Sequence, residues 1–219
     1  MWTVLISLGA WVLAFSFGSA IGIARTLPWK PARALGTAYV ETVRNIPLLV
    51  QMFLWFFVLP ELVPADLGRW LKRDMPFPEF SMAVLCLGFY TASRVAEQVR
   101  AGIESIPRSL VNAALASGMR LRQLYRHILL PIGYRVIVPP MTSEFLGIFK
   151  NSSLALTIGV LELTAQSRQI ESYTFQGYEA FTAATLLYLS IAVIVLLLTR
   201  GLEGYTRIPG MIAREQPPV

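Results

Sequence analysis

The sequence predicts an all-α, polytopic membrane protein with about five transmembrane helices, its N-terminus outside and its C-terminus inside. Three observations predict it. Of the 219 residues, 55% are hydrophobic and only 15% are charged, which is more apolar surface than a soluble chain of this length can hide. Two stretches, 2–24 and 180–199, contain no charged side chain, and each reaches the roughly 20 residues a helix needs to cross a hydrocarbon core. Lys and Arg are divided unevenly among the connecting segments. That unevenness also sets nucleic acid aside as the reason for the net charge of +6, because a basic excess in an apolar chain collects in cytoplasmic loops.

The first span, 2–24, lacks a basic leader and a small-residue cleavage site after its apolar stretch, so it reads as a retained helix rather than a removable signal. The second is expected over 39–59. The segment 60–79 follows, with Pro60, Pro64, Gly68, Pro76, Pro78 and mixed charges, and reads as an external loop with a short interfacial helix around Leu67 to Leu71. The third span covers 80–103, the fourth 134–149 with an irregular continuation through 151–161, and the fifth 180–199. These define a transmembrane domain over 1–210 and a cytoplasmic tail over 211–219, frayed by Pro217 and Pro218.

Positive residues stay on the cytoplasmic side and so report orientation. The segment 25–44 holds four Lys or Arg, 60–79 three, 94–135 seven, 150–179 two, and the chain from Arg200 onward three. The first, third and fifth segments together hold 14 and the second and fourth 5, which places the N-terminus outside. The middle spans also contain Pro47, Arg94, Glu97, Pro139, Pro140 and Glu144. Bare charges and freed backbone groups are costly in hydrocarbon, so these residues are expected to line a protein interior.

The long inner loop, about 104–131, includes SIPRSLVNAALASGMRLRQLYRHILLP. Its pattern predicts a helix from about Arg108, a left-handed turn at Gly118, a second short helix through His127, and a stop at Pro131. Asn112, Ala113 and Ala114, then Gly118 after three residues, then Ile128, Leu130 and Pro131 after nine more, resemble the EAA loop of ABC importer permeases. Asn112 departs from the Glu usual at its position. YVETVRNIPLLVQMF, YTASRVAEQVRAGIESIP and PPMTSEFLGIFKNSSLALTIGVLELTAQ extend the likeness. They resemble polar amino acid permeases, especially those of glutamate/aspartate importers.

That resemblance implies the type I ABC importer permease fold in a bacterial cytoplasmic (inner) membrane. It implies two ATP-binding subunits inside, which carry the ATP and Mg, and a second permease, identical or related. It also implies a soluble periplasmic or extracytoplasmic solute-binding protein. The loop is then the ATPase-coupling element. Ala113, Ala114 and Ala116 suit close helix approach, and Arg120, Arg122 and Arg126 suit an acidic rim. The chain itself is expected to bind no cofactor and to be no enzyme, since it contains no G-x-x-x-x-G-K-[ST] phosphate loop.

An acidic amino acid needs cations for its carboxylates and an acceptor for its ammonium. Intramembrane ionisable residues are the candidates. Arg94 is the first choice for a carboxylate clamp, with Glu97 three residues on along the same helical face. Two readings stand there, a solute site and an internal Arg94–Glu97 pair. Glu144 and Lys150 lie six apart, too far round an ideal helix to face together. Asn151, Ser152 and Ser153 offer donors in a segment that could unwind to line a cavity, or form a polar exit from the span.

Glu41, Arg44 and Asn45 read as interface anchors before Pro47, with a gating role as the alternative. His127 has no second ligand nearby, so no metal site is expected. Trp55, Trp70 and Tyr205 read as packing or interfacial aromatics. Cys86, the only cysteine, reads as a small buried hydrophobe. The competing function is an ion-coupled secondary transporter or channel working through Glu97 and Glu144, a class that usually shows more spans or an internal repeat.

Overall fold

Small residues decide which helices touch. In the computed structural model, which describes residues 1–206 with side chains through 201, the first helix α1 (Trp2–Thr26) buries Thr3, Ser7, Ala10, Ala14, Gly18, Gly22 and Arg25. Those positions recur every three or four residues and so form one stripe. The stripe lies against α6 (Pro78–Glu104). A Cβ at Gly18 would stand 2.6 Å from the Ala92 carbonyl oxygen and one at Gly22 2.7 Å from that of Ala96, so the two backbones meet with no room for any side chain, as small-xxx-small faces allow in membranes. Gly9 meets Val84, Gly18 meets Val95 and Gly22 meets Val99. The partners ascend together, which makes α1 and α6 parallel.

The fourth expected span is α9 (Leu130–Asn151). It packs on α6 in the opposite sense, with Gly102 against Gly133 and Ile137 and Arg94 against Glu144, and it also meets α1, through Trp11–Phe145 and Phe15–Tyr134. Buried residues face outward from α6 on all sides, from Met82 and Cys86 to Val99 and Ile103, as befits a helix wrapped by protein. Cys86 is fully buried, as expected.

The second expected span is not one helix. α2 (Lys30–Asn45) and the following helical stretch Leu48–Leu62 are bent by 104°. Pro47 causes the break: it has no N–H to donate and drives Ile46 into extended backbone, φ −98° and ψ 129°. The stretch runs as α3 (Leu48–Phe53), a π-turn over Leu54–Val58 and α4 (Leu59–Leu62). The loop helix sits where expected, as α5 (Ala65–Arg69) continuing into a π-turn over Trp70–Asp74. Lys72–Glu61 and Arg69–Asp66 ion pairs dress it.

The inner loop holds α7 (Arg108–Ala116) and α8 (Leu121–Leu124) on either side of Gly118, whose φ is +84°. Pro131 does not stop the second helix. The chain passes from α8 through a π-turn over Tyr125–Leu129 straight into α9, with Pro131 in its first turn. The wider turn accommodates a residue that cannot donate to the preceding turn. Pro60 stands in the same relation to the Leu54–Val58 turn.

Beyond α9 the chain tightens into a 3₁₀ helix over Ser152–Ile158 and turns at Gly159, φ +95°. It then bends by 51° into α10 (Leu163–Thr174). The last helix is α11 (Gly177–Thr206).

By length and apolarity α1 and α11 each suffice to cross a bilayer, and counting each bent pair as one span gives up to four. α6, at 27 residues, is about 40 Å long; it is long enough to be the expected third span, but its charges, with Glu97 and Arg100 part-buried and Glu79, Arg94 and Glu104 exposed, keep it out of the apolar count, which stands at up to four against the expected five. The boundary at 210, the tail 211–219 and the side chain of Tyr205 lie outside the described residues.

Candidate functional site

Arg94 does not pair with Glu97. Its Nε donates to Glu144 across the α6–α9 seam at 2.6 Å. Glu97 instead accepts from Arg25 of α1 at 2.7 Å, with Arg100 as its second partner and Arg44 of α2 at 3.9 Å. The physical reason is reach. Residues three apart on a helix can meet, but the arginine stem is long enough to find a carboxylate on another helix. The Glu144 side chain, 10% exposed, has more to gain from a cation than the half-open Glu97 at 26%. The Arg94 side chain stays 46% exposed, with only its Nε engaged by Glu144; it borders an open side.

That open side is a cleft of about 480 Å³ lined by Arg25, Val40, Glu41, Arg44, Asn45, Arg94, Glu97 and Arg100. Glu41, Arg44 and Asn45, read in sequence as interface anchors, form one of its walls. Four guanidinium groups face two carboxylates. Crowded cations in a recess raise local anion concentration, and arginine's planar fork matches a carboxylate.

Lys150, Asn151, Ser152 and Ser153 do not line this cleft. Ser152 is fully buried, with its hydroxyl on the Phe149 carbonyl at 2.8 Å; Ser153 bonds the Lys150 carbonyl at 2.7 Å, and Lys150 is exposed. The 3₁₀ winding expected of an unwound segment is present, but the hydroxyls turn back onto their own helix, a bond that hydroxyl side chains make readily.

Three contributors escaped the sequence reading. Arg25 counted only toward charge asymmetry, yet it is 8% exposed and also donates to Thr37. Gln51 gives its side-chain amide to the Val43 and Ile46 carbonyls at 2.7 and 2.9 Å, satisfying the acceptors that the Pro47 break leaves free. Glu162, 1% exposed, caps α10 through the Thr164 and Ala165 N–H groups and accepts from the Tyr188 hydroxyl at 2.8 Å. A polar residue four after a proline inside an apolar run was the available clue to Gln51.

The inner element presents Asn112, Ala113, Gly118, Arg120, Arg122 and Pro131 to the surface, while Ala114 is buried and Ile128 and Leu130 are half-buried. Leu115, Met119 and Leu121 are exposed around the turn. The Tyr125 hydroxyl bonds Thr26 at 3.0 Å, tying this element to the end of α1. His127 bonds only the Gln123 carbonyl, and no cluster of metal-ligating side chains exists among the described residues.

A polytopic helical bundle with a charged recess at its heart and a protruding two-helix element at one end defines a membrane transport subunit. The chain belongs to the family of binding-protein-dependent transport system inner membrane components, matched over residues 5–207. It is 48% identical over 210 residues to the glutamate/aspartate import permease protein GltJ of Escherichia coli K12, covering 95% of this chain and 85% of that protein. It is 34% identical to the probable glutamine ABC transporter permease protein GlnM of Bacillus subtilis, over 87% and 83%. Among solved structures it superposes on an amino acid ABC transporter crystallised with histidines, with TM-score 0.80, 26% identity, and 93% and 90% coverage.

Proposed function

We propose that the chain is the permease subunit of an ATP-driven importer of acidic amino acids, glutamate or aspartate, or their amides. The arginine-lined cleft carries this reading. Arg94, held from behind by Glu144, meets a solute carboxylate there, Arg44 offers a second cation, and Glu97 accepts from the ammonium. The likeness to a glutamate/aspartate import permease supports the same solute class.

The chain's job is conformational rather than chemical, so ATP and Mg belong to two partner ATP-binding subunits. A second permease, identical or related, completes the pathway within the lipid, and a soluble binding protein delivers the solute from the outer side of the bacterial inner membrane. Arginine-rich segments 25–33 and 100–126 meet at one end of the bundle around a shared cavity, which supports placing that end in the cytoplasm and the N-terminus outside. The exposed apolar turn at Leu115, Met119 and Leu121, flanked by Arg120 and Arg122, offers the ATPase a docking knob. Closure of the motors displaces α7 and α8, and the continuous backbone into α9 carries that displacement to Glu144, opening the cleft outward; hydrolysis returns it.

Uptake by the intact complex, assayed with glutamate, aspartate, glutamine, asparagine and arginine, tests the reading. Acidic solutes or their amides move in an ATP-dependent way; exclusive movement of arginine overturns it.

A further inference from the structure

We propose that Arg25, Glu97 and Arg100 form a charge-selective gate between the cleft and a second cavity at the inner end, opened when the carboxylate of an acidic amino acid takes the place of Glu97. The inference rests on reading the cleft as the solute site.

The second cavity, about 730 Å³, is lined by Arg33, Arg108, Glu104, Thr37 and Tyr125 among others. Arg25 and Arg100 line both cavities. Glu97, on the cleft side, bonds both of these arginines, so the two guanidinium groups bordering both spaces are clasped by one carboxylate.

Both cations keep a second partner when Glu97 leaves. Arg25 is buried, donates also to Thr37 at 3.3 Å, and has its stem packed against Gly36, where an added Cβ would come within 2.7 Å of Cγ. Arg100 is held by Glu104 as well. Its Nε is buried with no acceptor among the described residues, and an unsatisfied buried donor is the exception in folded proteins. Glu97 has a side chain 26% exposed on the cleft side, where an arriving carboxylate competes for the same donors.

A solute carboxylate replaces the charge-assisted bonds that Arg25 and Arg100 lose, and the displaced Glu97 carboxylate keeps Arg44, 3.9 Å away in the resting arrangement, as its cation. A cationic or amide-bearing amino acid, with its single α-carboxylate held by Arg94, has no second carboxylate to exchange and opens the gate less readily. Arg33 and Arg108 on the far side continue the attraction inward.

The test uses the complete complex with its ATPases in membrane vesicles. Asn45→Cys on the cleft wall is the single reactive thiol in a Cys86→Ser background, probed with a membrane-impermeant maleimide from the side bearing α7 and α8. Glu97→Gln accelerates labelling about tenfold, the loss expected of one charge-assisted bond; Glu97→Asp restores slow labelling, and glutamate but not arginine accelerates it in the parent. Should Glu97→Gln fail to assemble, Arg100→Gln takes its place with the same expectation. Equal labelling in parent and variant overturns the gate. Glutamate binding, with Arg94→Ala as control, is measured in parallel: binding that Arg94→Ala abolishes, with labelling unaffected by Glu97→Gln, overturns the gate alone, whereas no binding overturns both it and the cleft.

Discussion

Arg94 of α6 and Glu144 of α9 lie fifty residues apart in sequence and 2.6 Å apart in space, and no other side-chain ion pair among the described residues joins these two helices. The bond does two things at once. It satisfies a carboxylate that is almost fully enclosed, and it holds a half-exposed guanidinium at the rim of the cleft.

Replacing Arg94 by Ala strands Glu144. Breaking a fully buried pair costs about 3–5 kcal/mol; with Arg94 partly solvated, about 1–3 kcal/mol is expected. Uptake is lost while the ATPase still copurifies. The charge-swapped double variant Arg94→Glu, Glu144→Arg recovers thermal stability in detergent but not glutamate uptake, which separates the structural role from the solute role.

Gln51→Leu leaves the Val43 and Ile46 carbonyls without their donor at the 104° bend. A loss of about 1–3 kcal/mol follows from burying unpaired acceptors. Hydrogen exchange over 43–51 rises in the variant, and rises less with Gln51→Glu, whose carboxyl when protonated has one proton to donate where the amide has two.

Gly18→Val and Gly22→Val push α1 off α6, because each new Cβ would fall inside the van der Waals radius of a backbone carbonyl. Overpacking of about 1–3 kcal/mol each is expected, read as a lowered Tm of the purified protein. Gly147→Ala, with open space around it, serves as the neutral control.

Gly118→Val opposes a φ of +84° without meeting any neighbour. Its cost of about 1–2 kcal/mol is purely local, so the bundle keeps its Tm while pull-down of the ATPase weakens. Unchanged pull-down removes the Gly118 turn from the docking element.

The fold was legible wherever a local rule decided it. Uninterrupted apolar runs marked α1 and α11, and the spacing from Asn112 through Gly118 placed α7, the turn and α8. Pro47 was visible, but its effect was not: a proline near a helix start stiffens or breaks depending on whether its neighbours' carbonyls find other donors, and Gln51 supplied them from four residues on. Pro131 was misread for the converse reason, since a π-turn let the helix run past it.

The site was less legible, because its bonds join helices far apart in the chain. Arg94, Glu97 and Glu144 could be singled out by their cost in a membrane, yet Arg25 looked like a loop charge and the partner of Arg94 depended on how α6 and α9 are threaded together. Ser152 and Ser153 had the right chemistry but spend it on their own turns.

The π-turn over Tyr125–Leu129 gives the molecule a slip joint in a drive shaft. Leu130 lies about 21 Å along α9 from Glu144, with Pro139 and Pro140 between them. A π-turn stores one residue more than an α-turn, and passing that residue along twists everything beyond it by about 100°. Were that residue passed along, Glu144 would be turned away from Arg94, the partner it has here.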